Sequence, residues 1–166
     1  MVGPRKLMSR RARWLLVGVP VLFALVLASS GAEAAGCKKV SGKFTLASVT
    51  GPTCQSGVQI CATGSYSGGL AGTSAFTGTS LVPTVDTPTT AVVVLTGDAT
   101  ITTKAGALST KDAIVLRTTG AGDFAEVDTV TSGAGEWAGA TGVLREQGTF
   151  TAQAGGSGEY VGQICT

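Results

Sequence analysis

Beyond residue 34 the chain is a succession of stretches in which apolar and polar residues alternate, each closed by glycine, proline or a small polar cluster. Alternation with a period of two places successive side chains on opposite faces, the signature of a half-buried strand. Residues 40–46 put Val40, Phe44 and Leu46 on one face and Lys43 on the other. Gly51-Pro52 turns the chain, residues 58–66 begin a second strand, Gly68-Gly69 makes another tight turn, and residues 70–81 carry Phe76 in a third. Residues 82–88 are expected to form a loop, because Pro83 and Pro88 cannot donate to a ladder.

Residues 91–103 contain Val92, Val93, Val94 and Leu95 in succession, a pattern expected where both faces of a strand are covered. After Lys104-Ala105-Gly106, residues 107–119 set Leu108, Ile114 and Leu116 on the same face as Asp112. Gly120-Ala121-Gly122 closes that hairpin, and residues 124–131 follow, with Phe124 and Val130 on the side that also carries Glu126 and Asp128. A glycine-rich corner over residues 133–142 leads to strands at 143–151 and 158–165. No helix longer than a turn or two is expected.

Eight strands with short turns suit an all-β, up-and-down antiparallel barrel, whose closure removes the edges that such strands would otherwise expose. An open two-sheet sandwich is the alternative. Composition agrees with either: glycine and threonine supply 46 of the 132 residues after position 34, one marking turns and bulges and the other favouring strands. Which face of residues 91–103 points inward is open. An outer face made of Val93, Leu95 and Ile101 would need covering, so a homo-oligomer is open too.

The first 34 residues read differently. A basic head of Arg5, Lys6, Arg10, Arg11 and Arg13 precedes an apolar run over 14–28 and the small-residue site Ala32-Glu33-Ala34, the layout of a cleaved export signal helix. The run is shorter than the roughly 20 residues a spanning helix needs. The expected division is therefore a signal peptide over 1–34 and one β-barrel domain over 35–166, secreted and not membrane-spanning after cleavage. Ala35-Gly36-Cys37 raises lipid anchoring at Cys37 as the lesser alternative. With the leader removed, seven basic and nine acidic residues remain, so the +2 charge of the whole chain becomes about −2. No basic patch is left to engage nucleic acid.

Four cysteines, at 37, 54, 61 and 165, read as two disulfides in an exported chain, with three pairings open. Barrel closure brings the start of the first strand beside the end of the last. It therefore favours Cys37 with Cys165, leaving Cys54 with Cys61. With no histidine and no CxxC pair, no metal site is expected, and no cofactor is implied.

The corner Gly133-Ala134-Gly135-Glu136-Trp137-Ala138-Gly139-Ala140-Thr141-Gly142 resembles the GxGxFxGAxG corner of the allene oxide cyclase barrel-like superfamily, which includes plant dirigent proteins. The chain is more similar still to small secreted bacterial members of that superfamily, in Gly148-Thr149-Phe150 and in the ending Tyr160-Val161-Gly162-Gln163-Ile164-Cys165. The resemblance extends over residues 37–166 and implies a barrel in which a reactive intermediate is steered by a few polar groups on an apolar wall. It also implies dimers or trimers, as found in the wider superfamily, and carries over no catalytic residue. Physically the corner is structural: its glycines allow tight backbone approach, and Trp137 is a plug for one end of a barrel.

Without histidine or a free thiol, the chemistry left is that of carboxylates. Asp112, Glu126 and Asp128 are the catalytic candidates. If their apolar face is the interior, desolvation raises their pKa values and suits them to general acid work. If it is the exterior, they pair with Lys111, Arg117 or Arg145 at a rim, where ion pairs contribute little. Tyr66, Trp137 and Tyr160 are candidates for contacting a ligand. Two functions follow: a secreted barrel that binds a small apolar ligand or a protein partner without turnover, or a cofactor-independent cyclase or dirigent-type enzyme.

Overall fold

A computed structural model describes residues 36–84 and 91–166. The export signal expected over 1–34, and most of the loop expected over 82–88, lie outside the described residues. Eight strands run in chain order: β1 (Cys37–Val49), β2 (Cys61–Tyr66), β3 (Gly72–Pro83), β4 (Val92–Thr103), β5 (Gly106–Arg117), β6 (Asp123–Gly135), β7 (Thr141–Thr151) and β8 (Gly155–Cys165). Each pairs antiparallel with the next, and β1 pairs with β8 from Cys37 opposite Cys165 to Leu46 opposite Gly156. The sheet is thus a closed up-and-down barrel, not a sandwich. The only helical pieces among the described residues are 3-10 turns at Gly51–Thr53 and Gly68–Leu70.

The period-two pattern decides which side chains fill the barrel. On β5 the residues Leu108, Thr110, Asp112 and Ile114 are buried, while Lys111, Ala113 and Val115 are exposed. On β4 the apolar run is half exterior. Val93, Leu95 and Ile101 point inward and Val94 is 38% exposed, so only one face of this strand is covered. Val93, Leu95 and Ile101 therefore form no outer patch; the exposed apolar residues are others, including Val94, Val115, Val127 and Val161. The strand β3 also runs further than the proline argument allows, because Val82 and Pro83 still pair with Val94 and Val93. Pro83 is the last residue of the strand, a position where its missing N–H is tolerated.

One end of the barrel is closed by the corner after β6. Trp137 is buried in the core and its indole N–H donates to Thr103 Oγ1 over 3.1 Å. Gly133 lies against the Trp137 carbonyl so closely that a β-carbon there would collide with it. Tyr160 secures the same end: its hydroxyl donates to the Ser67 carbonyl and accepts from the Leu70 N–H, both at 2.8 Å. Leu70, Ile164 and Leu144 fill the space between these groups, and each such burial contributes about 1.5–3 kcal/mol.

Disulfides join Cys37 to Cys165 and Cys54 to Cys61. The first fastens the seam between β1 and β8, where the two cysteines are register partners. Its sulfur at Cys37 is committed to Cys165 and is not free for a lipid thioether. Both bridges fit an oxidising compartment. Among the described residues no helix is long and apolar enough to cross a membrane.

Candidate functional site

Four carboxylates meet inside the barrel. On β6 the alternation that buries Phe124 and Val130 also turns Glu126 and Asp128 inward, and on β7 the same rule carries Glu146 inward between Leu144 and Gly148. Asp112 is the direct cross-strand partner of Asp128, and Glu126 that of Glu146. Asp112 and Asp128 are each only 4% exposed, and Glu146 5%. Asp112, Glu126 and Asp128 present carboxylate oxygens that all lie within 4.8 Å of one another.

These acids border a cavity of about 60 Å³. Its wall is apolar, with Leu95, Ile101 and Phe124 among the lining side chains, and the partly exposed Leu46, Ile60, Phe76, Leu116 and Phe150 line it too. Gly97 makes room for one of these, since a β-carbon there would run into the Phe76 ring. The polar side chains on the cavity are Tyr66, Ser74, Thr110 and the four carboxylates. Tyr66 donates to Glu146 Oε1 at 2.7 Å, linking β2 to β7 across the interior. Its ring also stacks obliquely against Phe44 and Tyr160.

The remaining polar atoms are less well served. Oδ1 of Asp112, Oδ1 of Asp128 and Oγ1 of Thr110 are buried without a hydrogen-bond partner. Burial raises the Asp112 pKa to about 6, an effect opposed in part by the Thr110 hydroxyl beside it and reinforced by the negative charge of Asp98. Burial likewise raises Glu126, Asp128 and Glu146, and the negative charges of neighbouring carboxylates add to the rise. For Glu146 the Tyr66 hydrogen bond pulls the other way. Burial and the charge of Glu146 keep the Tyr66 hydroxyl protonated, as its role of donor requires.

The alternative placement of Asp112, Glu126 and Asp128 at a charged rim is therefore not adopted. Lys111 pairs with Asp98 and Arg117 with Asp123, both on the outside of the barrel. Of the ligand-contact candidates, only Tyr66 lines the acidic cavity. Trp137 is in the closing corner, and Tyr160 spends its hydroxyl on Ser67 and Leu70. Sequence reasoning missed Glu146, although its place two residues after Leu144 and four before Phe150 puts it on the apolar face of the last-but-one strand. It also missed Thr110. The expectation of no metal site rested on the missing histidine and thiol pairs and left the three clustered carboxylates unweighed.

Fold and site together define a class: a closed eight-stranded antiparallel barrel, disulfide-fastened, with an acidic group set into an apolar interior. No family model matches the chain, and neither a curated protein nor a solved structure does.

Proposed function

We propose that this protein is an exported barrel that binds a small, mainly apolar ligand in its interior without turning it over. The observation that carries this reading is the pairing of an apolar wall with buried polar atoms that lack partners, at Asp112, Asp128 and Thr110. Binding pockets commonly combine apolar walls with a few convergent polar groups that orient the ligand, and the interior of a β-barrel is a frequent location. A water needs about 10–15 Å³ of such space, so the cavity of about 60 Å³ takes a handful of waters or a ligand of a few heavy atoms. A longer ligand would displace the partly exposed side chains of Leu46, Ile60 or Phe150. The leader, with its basic head and apolar run, and the two disulfides support secretion.

The resemblance of the residue 133–142 corner to the allene oxide cyclase and dirigent barrels supports a second reading, a cofactor-independent cyclase or dirigent-type enzyme. The observation favouring it is the set of carboxyl groups whose pKa values burial raises, which suits Asp112, Glu126 or Asp128 to donate a proton to an apolar substrate.

Native mass spectrometry of the protein purified from its own host tests the binding reading. A copurified small molecule that is lost in Ala99→Phe, a substitution that fills the cavity wall, is the expected result. A wild-type protein that carries no small molecule overturns it. Where a ligand is found, conversion of that molecule by the wild type, abolished in Glu126→Gln, would favour the enzyme instead.

A further inference from the structure

We propose that Asp112, Glu126 and Asp128, with the Thr110 hydroxyl beside them, form a site for one hard divalent cation, of which calcium is the best match. The proposal shares its unpartnered atoms with the ligand reading above, but it stands on the charge balance of the barrel interior.

The seven basic side chains among the described residues, Lys38, Lys39, Lys43, Lys104, Lys111, Arg117 and Arg145, are all exposed. Four carboxylates thus enter the barrel with no basic side chain to accompany them. Buried charges are ordinarily paired or bound to metal, because transfer of an isolated ion from water is strongly unfavourable. Cross-strand pairing makes the demand sharper: Asp112 faces Asp128, and Glu126 faces Glu146. Like charges directly opposite one another destabilise a sheet unless something lies between them.

The donor set is all oxygen, the choice of hard cations. Calcium is held at about 2.3–2.6 Å from each oxygen, so two of its ligands are separated by at most about 5 Å. The oxygens of Asp112, Glu126 and Asp128 lie within 4.8 Å of one another. Magnesium demands near-ideal octahedral geometry at about 2.1 Å and gives up its waters reluctantly, so a site built from protein oxygens suits it less.

A cluster of acids alone would not distinguish a cation site from a set of shared protons. Thr110 provides an independent indication. Its hydroxyl is on the same inward face of β5 as Asp112, the residue is only 3% exposed and borders the cavity, and Oγ1 has no hydrogen-bond partner. Its proton can turn to the neighbouring Asp112 carboxyl, but no donor reaches the oxygen's lone pairs, and a proton shared between carboxylates supplies none. A cation gives it a partner, and the adjoining cavity of about 60 Å³ has room for the waters that complete the coordination shell. Glu146, on the same cavity, is placed to accept from such waters.

The test is calorimetric titration of the chelator-treated protein with calcium chloride near neutral pH, together with thermal unfolding in the presence and absence of calcium. One calcium per chain and a rise in Tm are expected, because a ligand that binds only the native state stabilises it. Asp128→Asn and Asp112→Asn should each weaken binding by about tenfold or more. Glu136→Gln, an exposed acid on the closing corner, should leave it unchanged. Neutral amides relieve repulsion in the metal-free barrel, and should one of the two fail to fold the other still reads the site. The proposal is overturned if millimolar calcium, magnesium and manganese all give neither saturable heat nor a Tm change. It is equally overturned if binding survives both Asp128→Asn and Asp112→Asn. Because metal alone is titrated, either result leaves the organic-ligand reading standing or falling on its own experiment.

Discussion

Asp112 and Asp128 stand directly opposite each other across β5 and β6, both turned into the barrel, each with an oxygen that no hydrogen bond reaches. The arrangement is imposed by neighbours in the chain. Leu108 and Ile114 must be inside, so Asp112, at even spacing between them, goes inside too; Phe124 and Val130 do the same to Asp128. The apolar residues set the register, and the acids follow at an electrostatic cost.

That cost gives stability an unusual dependence on pH. The groups that face one another are Tyr66 on β2, Asp112 on β5, Glu126 and Asp128 on β6, and Glu146 on β7. All four carboxyl groups have folded-state pKa values raised above those of the unfolded chain. The native state therefore binds more protons than the unfolded state between those values, and stability falls as pH rises. It is fully present below the unfolded pKa of about 4 and is lost as pH climbs through the folded values, from about 6 for Asp112 upward. Chelator-treated protein should thus melt at higher temperature near pH 5 than near pH 8, by about 4 °C for each kcal/mol lost. A Tm that rises over that interval would contradict this. Asp128→Asn should flatten the slope and raise stability near pH 8 by on the order of 1 kcal/mol.

Tyr66 and Glu146 are far apart in the chain, yet their side chains make a hydrogen bond of 2.7 Å through the barrel interior. Tyr66→Phe removes the donor and keeps the ring. A hydrogen bond to a charged acceptor contributes about 1.5–3 kcal/mol, and a loss in that range is expected in denaturant unfolding where Glu146 is ionised. Without the donor the Glu146 pKa moves further up, so the penalty should shrink in mild acid, where that carboxyl is already neutral. A penalty that is the same at both pH values would show that Tyr66 acts through packing alone.

The bridge between Cys37 and Cys165 spans 128 positions and holds the seam that closes the barrel. In the chain-entropy account, closing a loop of that size removes about 5 kcal/mol worth of freedom from the unfolded state. Replacing both cysteines with serine should lower the unfolding free energy by several kcal/mol, measured in guanidinium under non-reducing conditions. The short bridge from Cys54 to Cys61 closes a much smaller loop, and its removal should cost less. Equal losses from the two double variants would point to native-state packing rather than chain entropy as the source.

Much of this protein is written in its alternating pattern. A period of two, broken at glycines, determines eight strands, and on β5 and β6 it determines that Asp112, Glu126 and Asp128 share a face with the largest apolar side chains. Where alternation lapses, local sequence has no means of choosing a side. Val92, Val93, Val94 and Leu95 are interchangeable by hydrophobicity, and only the pairing of Val93 with Leu116 and of Leu95 with Ile114 sends the odd-numbered residues inward. Two bulges, at Thr79 on β3 and at Thr131 on β6 opposite Ser109 and Thr110, shift the register, and each is a property of two strands at once. Closure itself decided the site. Tyr66 and Glu146 belong to strands that meet only across a rolled sheet, and Asp112, Glu126, Asp128 and Thr110 become one cavity wall because antiparallel pairing lays separate stretches side by side. The chain determines which face of most strands is apolar; the curvature of the closed sheet determines which polar residues on those faces meet.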